Sequence, residues 1–196
     1  MIADERFYPK ELDMDSGPFI RHFDRYFQCV KTLGKIGKQQ RWLDCACGSG
    51  YGSRILSNFS SNIVGYDISS DAIDYAILNY GNESCTFKNE FSELDPDFDV
   101  IFSVETIEHM PESDAHQFLS RLNKVLKNNG HMVITTPIVK STNRNPINKF
   151  HYIEYSHDDF IDLLQESGFY VESYEFIETT FTDGETKDQG YYKCHK

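Results

Sequence analysis

From residue 41 onward, short apolar runs that suit strands alternate with stretches whose apolar positions repeat at helical spacing. Residues 41–46 (RWLDCA) read as a first strand, 53–59 as a helix and 62–68 (NIVGYDI) as a second strand. Residues 70–81 predict a helix with Ser or Asp at its N-cap and Gly81 at its stop. Strands three and four fall at 85–89 and 99–104. Pro111 suits the first turn of a helix that runs to Gly130, 131–137 forms strand five, and 156–168 is another capped helix. The last runs, FYVESYEFIET and GYYKCHK, predict a closing antiparallel pair. Strands and helices in this alternation predict an α/β fold with a doubly wound, mostly parallel sheet.

Two segments break the alternation. Within residues 1–37, PFIRHFDRYFQCVKTLG repeats Phe19, Phe23, Tyr26, Phe27 and Val30 at helical spacing, which predicts a helical lid packed on the sheet. Residues 138–156, IVKSTNRNPINKFHYIEYS, form a long connection carrying asparagines, aromatics and His151, and connections of that length in compact domains usually serve function. At 196 residues the chain is expected to be a single domain, with 1–37 as lid and 41–196 as α/β core.

Composition narrows the partners. A net charge of −12 and the lack of a Lys/Arg run disfavour nucleic acid, whose phosphates would be repelled. No apolar stretch approaches a membrane span and the N-terminal residues are acidic, so a cytoplasmic protein without a membrane partner is expected. Five cysteines without C-x-x-C spacing argue against disulfides and structural zinc, and Cys45 and Cys47 read as packing residues at a strand end. Neither the composition nor the pattern speaks to oligomeric state.

The stretch LDCACGSGYGSRIL sets Asp44 and three glycines, Gly48, Gly50 and Gly52, in the turn after the first strand, where glycine lets backbone approach a ligand. About twenty residues on, GYDIS puts Asp67 at the end of strand two, where a carboxylate can take both hydroxyls of a ribose. The turn lacks the G-x-G-x-x-G spacing of a pyrophosphate site, which ranks a nicotinamide dinucleotide second.

The stretch resembles motif I of class I S-adenosylmethionine-dependent methyltransferases. That resemblance implies a Rossmann-like methyltransferase fold of seven strands with the last antiparallel, and S-adenosylmethionine as cofactor. It implies that Asp44, Gly48 and Gly50 line the amino-acid half of the cofactor, that Asp67 with the adjacent Ile68 takes the ribose, and that Ser103 lies below the methionine moiety. Glu90 or Asn89, in FKNEFSEL, is then the candidate for the adenine amine, and Arg25 and Tyr26 of the N-terminal segment help to close the site.

The remaining chemistry lies in SVETIEHM, directly after strand four, where Glu105, Glu108 and His109 stand at i, i+3 and i+4. A sulfonium is already electrophilic, so an enzyme of this kind has to align an acceptor and, for a hydroxyl, take its proton. A divalent metal on Glu105, Glu108, His109 and the distant His151 would do both, and mixed oxygen and nitrogen ligands suit manganese, iron, cobalt or zinc, with magnesium also allowed. The E-x-x-E-H pattern with a later histidine is similar to two O-methyltransferase groups, one acting on the terminal ribose of small RNAs and one on catechol-like rings in ubiquinone biosynthesis. The metal-free alternative is a tight turn, which Pro111 favours, with His109 or His151 as general base beside Glu108. His22, His116, His131, His157 and His195 read as surface or packing residues.

These readings converge on O-methylation of a small hydroxylated acceptor, a sugar or other vicinal diol, because asparagines and aromatics in the long connection suit a sugar. The rivals are a small-RNA 2′-O-methyltransferase, a catechol-type enzyme and a non-catalytic cofactor-binding module.

Overall fold

The computed structural model describes residues 8–9, 17–35, 40–180 and 186–196. The expected 1–37 lid is therefore described only in part; residues 1–7, 10–16 and 36–37, and the side chain of Phe19, lie outside the described set. What is described of it is helix α1 (Gly17–Leu33), which buries Tyr26, Cys29 and Leu33 with Phe23 and Val30 packed alongside. Phe27 departs from the predicted stripe. It is half exposed and meets Phe59 edge-on, because the buried face follows positions 23, 26, 30 and 33.

Strands β1 (Arg41–Cys45), β2 (Asn62–Tyr66), β3 (Cys85–Lys88), β4 (Phe98–Val104) and β5 (Leu126–Val139) are mutually parallel where they pair. Between them run α2 (Tyr51–Leu56), α3 (Ser70–Tyr80) and α4 (Glu112–Val125). The two-residue β6 (Tyr155–Ser156) pairs with β5 and leads into α5 (His157–Glu166), which is followed by β7 (Tyr170–Thr180) and β8 (Thr186–His195). The sheet order is β3-β2-β1-β4-β5-β8-β7, with β8 antiparallel to both neighbours, so the predicted seven strands form the main path and β6 is an eighth.

Alternation along β1 builds both faces. Leu43 and Cys45 join the core under α4 and α5, whereas Trp42 points to the opposite core with Cys29, Leu33, Ile55 and Ile73. Helix starts follow the chemistry expected of them: the Ser69 and Ser156 hydroxyls accept the Ala72 and Asp159 N–H groups at the N-caps of α3 and α5. The helix predicted to run to Gly130 stops at Val125. Leu126 already pairs with Phe98, so burial of that leucine in the sheet outweighs the helical propensity of the residues that follow. Among the described residues no helix is long and apolar enough to cross a membrane.

The chain leaves β1 for β2 and β3 on one side and returns to β4 and β5 on the other, which makes the carboxyl ends of β1 and β4 a topological switch point. The turn after β1, the end of β2 and the segment after β4 all open there.

Candidate active site

A cavity of about 1370 Å³ lies over the switch point. Its first wall is the turn after β1. Gly50 has φ +85, and a Cβ there would come within 2.5 Å of the Ala76 Cβ, so this turn demands glycine for both conformation and space. The Gly48 N–H donates to Asp67 Oδ2 at 2.9 Å while the Ser69 N–H donates to Oδ1 at 2.9 Å, and both Gly48 and Asp67 line the cavity with the exposed Ile68.

Asp44 is set back from the cavity, which corrects its expected place on the wall. It is fully buried beneath the turn, where the hydroxyls of Ser53 and Tyr26 donate to it at 2.6 and 3.3 Å. Burial pushes its carboxyl up to about 7 against the pull of those two hydrogen bonds. Ser103 is likewise buried, in β4, and its Oγ has no hydrogen-bond partner. Gly50, Asn89 and Glu90 are not among the cavity-lining residues either: Gly50 is turned to α3 and β3, and the two candidates for the adenine amine lie in the partly exposed bend after β3.

The second wall is SVETIEHM. Residues Ile107–His109 form one 3-10 turn and Met110 is already extended ahead of Pro111, so the segment is the tight turn that proline favours. Glu105 precedes it with φ +51, outside helical conformation, and the i, i+3, i+4 alignment therefore fails for this residue. Its carboxylate is turned to the lid and the sheet instead. It pairs with Arg25 Nη2 at 3.2 Å and accepts the Thr135 hydroxyl at 2.8 Å, and the Gln189 amide donates to it closely as well.

Glu108, His109 and His151 do converge: each offers a ligand atom, and the three atoms lie within 4.8 Å of one another. Glu105 is not one of this set, a correction to the four-ligand expectation. Glu108 is 1% exposed, Thr136 donates to its Oε2 at 3.1 Å, and its Oε1 is buried without a hydrogen-bond partner. Burial, and then the nearby Glu105 charge, push the Glu108 carboxyl well above the usual carboxylate range.

His151 reaches this turn from the connection after β5, its ring 5.0 Å from that of His109 and nearly perpendicular to it. Backbone anchors explain the approach. The Glu108 carbonyl accepts the N–H of Tyr152 at 2.7 Å, and Asn143 and Glu154 exchange N–H···O bonds of 2.8 and 2.9 Å. Both imidazoles are fixed through Nδ1, His109 by the Phe150 carbonyl at 3.0 Å and His151 by the Glu154 carboxylate at 2.8 Å.

Sequence reading missed four contributors. His22, read as a surface or packing residue, is a cavity wall bonded to the Tyr51 hydroxyl at 3.1 Å, and burial together with Arg25 and Arg21 lowers it to about 3, leaving a neutral imidazole. Glu154 is 2% exposed and takes both His151 and Lys187, which hold its carboxyl below the usual range. Gln189 and Lys187 come from β8, and a sequence signal for Glu154 existed only in its spacing of three from His151. Of the cysteines, all five are buried thiols, and Cys47 also lines the cavity.

A mostly parallel sheet with a glycine turn after its first strand, an acid after its second and a large cavity over the switch point defines the class I S-adenosylmethionine-dependent methyltransferase architecture. Residues 19–174 match the family model described as a methyltransferase domain, and the chain belongs to that family. It is 30% identical over 135 residues, 66% of its length, to a protein of Mycolicibacterium smegmatis described as a probable S-adenosylmethionine-dependent methyltransferase, of which it covers 52%. It is also 30% identical over 136 residues, 67% of its length, to a ubiquinone biosynthesis O-methyltransferase of Bradyrhizobium diazoefficiens, of which it covers 51%. The chain thus spans about half the length of these curated relatives. Among solved structures, the cyclase SpnF matches with a TM-score of 0.76 at 14% identity, covering 95% of this chain and 85% of that one. The magnesium protoporphyrin IX methyltransferase of Synechocystis PCC 6803 with bound SAM matches with a TM-score of 0.68 at 18% identity, covering 91% and 81%. A cyclase and a methyltransferase on one fold leave the reaction to be argued from the site.

Proposed function

We propose that the protein is an S-adenosylmethionine-dependent O-methyltransferase for a small acceptor with two neighbouring hydroxyls, a sugar or other vicinal diol, and that Glu108, His109 and His151 hold a divalent cation. The observation that carries the metal is the buried Glu108 Oε1, which lacks a hydrogen-bond partner, on a carboxyl group that converges with two imidazoles. A buried carboxyl oxygen left unpaired is costly, and two nitrogens with one oxygen suit manganese, iron, cobalt or zinc better than calcium, with magnesium also allowed. When bound, such a cation lowers the pKa of a hydroxyl and fixes the oxygen next to it.

The chain's own residues divide the remaining work. Gly48 leaves backbone room for the cofactor, and the Asp67 carboxylate accepts from its ribose hydroxyls. Arg25 and Tyr26 of the lid wall off water over that half of the cavity. The volume of about 1370 Å³ exceeds the roughly 300–1,000 Å³ of a pocket for one small ligand, which supports cofactor and acceptor side by side. Phe150 and Asn148 of the long connection line the acceptor half with stacking and hydrogen-bonding groups.

An aromatic ortho-diol is the second reading, favoured by the relative named for ubiquinone biosynthesis. The comparison to make is turnover of sugars, catechols and RNA 3′ ends by chelated enzyme with and without manganese. The expected result is loss of diol methylation on chelation and recovery with metal. Full activity after exhaustive chelation, with no metal found by elemental analysis, would refute the cation and leave His109 or His151 as the base. Methylation of none of these acceptors by metal-replete enzyme would refute the diol.

A further inference from the structure

We propose that Glu154 is a positioning residue, whose carboxylate fixes His151 in the tautomer that carries its proton on Nδ1 and its lone pair on Nε2. The contact is a 2.8 Å bond between Nδ1 and Glu154 Oε1, and a carboxylate there can only accept, so the imidazole donates. Glu154 is 2% exposed and cannot swing away to water. Its backbone is held twice by Asn143, and the next residue, Tyr155, enters the sheet beside Ile138. The carboxylate is therefore a fixed point against which the ring is aligned.

His109 is held differently. Its Nδ1 donates to the neutral Phe150 carbonyl at 3.0 Å, so the two rings of the cluster share one tautomer, while the Nδ1 partner of His151 is an anion. An imidazole that donates to a carboxylate is a stronger electron-pair donor at its other nitrogen, and such outer partners commonly govern metal affinity. The competing account is a plain structural ion pair, since Lys187 Nζ lies 3.0 Å from the same Oε1. On that account Lys187 and Glu154 would matter equally and the state of His151 would not.

Two measurements separate these accounts. The first, independent of any metal, is the His151 tautomer in metal-free protein, read from two-bond proton–nitrogen NMR spectra above the imidazole titration range and assigned with His151→Gln. Wild type and Lys187→Met are expected to show protonated Nδ1, and Glu154→Ala to shift His151 to protonated Nε2, the form preferred in water. The second, which rests on the cation reading above, is cobalt titration: Glu154→Gln is expected to bind cobalt roughly ten- to a hundredfold more weakly while S-adenosylhomocysteine affinity is unchanged. Lys187→Met should stay within about threefold of wild type on the same scale.

Protonated Nε2 in wild type, or protonated Nδ1 retained in Glu154→Ala, overturns the proposal. So does Glu154→Gln with wild-type cobalt affinity. Should Glu154→Ala not fold, the wild-type tautomer and the near-isosteric Glu154→Gln still decide. Wild type that binds no cobalt refutes the cation reading alone, and the tautomer then decides the role of Glu154.

Discussion

Replacing Asp44 with asparagine tests how the turn after β1 is built. The carboxyl is fully buried, and desolvation raises it from 3.8 to about 7 despite the hydroxyls of Ser53 and Tyr26. Between those values the folded chain holds a proton that the unfolded chain has released. The associated stabilisation is therefore complete below about pH 4 and is lost as the pH rises to about 7. At about 1.36 kcal/mol for each pH unit, the gap amounts to roughly 4 kcal/mol at most, while asparagine keeps the size and polarity of the site without a charge to bury. Urea unfolding of wild type and Asp44→Asn at intervals from about pH 5 to about pH 8 gives the comparison. Wild type should lose about 1.4 kcal/mol per pH unit relative to the variant up to about pH 7, and the difference should then level off. The general repulsion of a chain of charge −12 acts on both proteins and cancels in the difference. Parallel stability curves would refute the reasoning, since they would mean that Asp44 is ionised at no cost where it sits.

Asp67→Ala should weaken S-adenosylhomocysteine binding by about 1.5–3 kcal/mol in calorimetry, because a charged acceptor for hydroxyls is removed; unchanged affinity would take Asp67 out of the site. Glu105→Ala should lower unfolding stability by about 3 kcal/mol, since it strands the guanidinium of Arg25, whose side chain is 14% exposed. Cobalt affinity in that variant should match wild type, and a loss comparable to that of Glu108→Ala would return Glu105 to the metal-binding set.

Much of this molecule was legible from residue pattern alone. Alternating apolar runs located every strand of the main sheet path, and the spacing between the glycine turn and Asp67 brought two cavity walls together because both follow from strand-end geometry. His151 could be assigned to the same edge as His109 since consecutive parallel strands open their carboxyl ends side by side. Glu105 escaped the same logic. Its placement depends on a left-handed backbone and on an arginine eighty residues earlier, neither of which a local spacing encodes. Asp44 was misread for a related reason: strand alternation does not say whether an acid at a turn opens to the ligand or to the helix behind it, and here Ser53 and Tyr26 decide. His22 became a cavity wall only through the docking of α1 against Tyr51, a tertiary event. The early end of α4 reflects the burial of Leu126 beside Phe98, where a partner strand overrode local propensity.

The mutual bonds between Asn143 and Glu154, with the Glu108 carbonyl gripping Tyr152 between them, bear on entropy. They close the base of the connection after β5, so the segment that presents His151 is ordered as the chain folds. Fixing one residue's backbone costs roughly 1–2 kcal/mol, and here that cost falls on folding instead of on ligand capture. Any ligand that engages His151 meets a side chain already in register with Glu108 and His109, and its measured affinity reports contact energy without a charge for organising the loop.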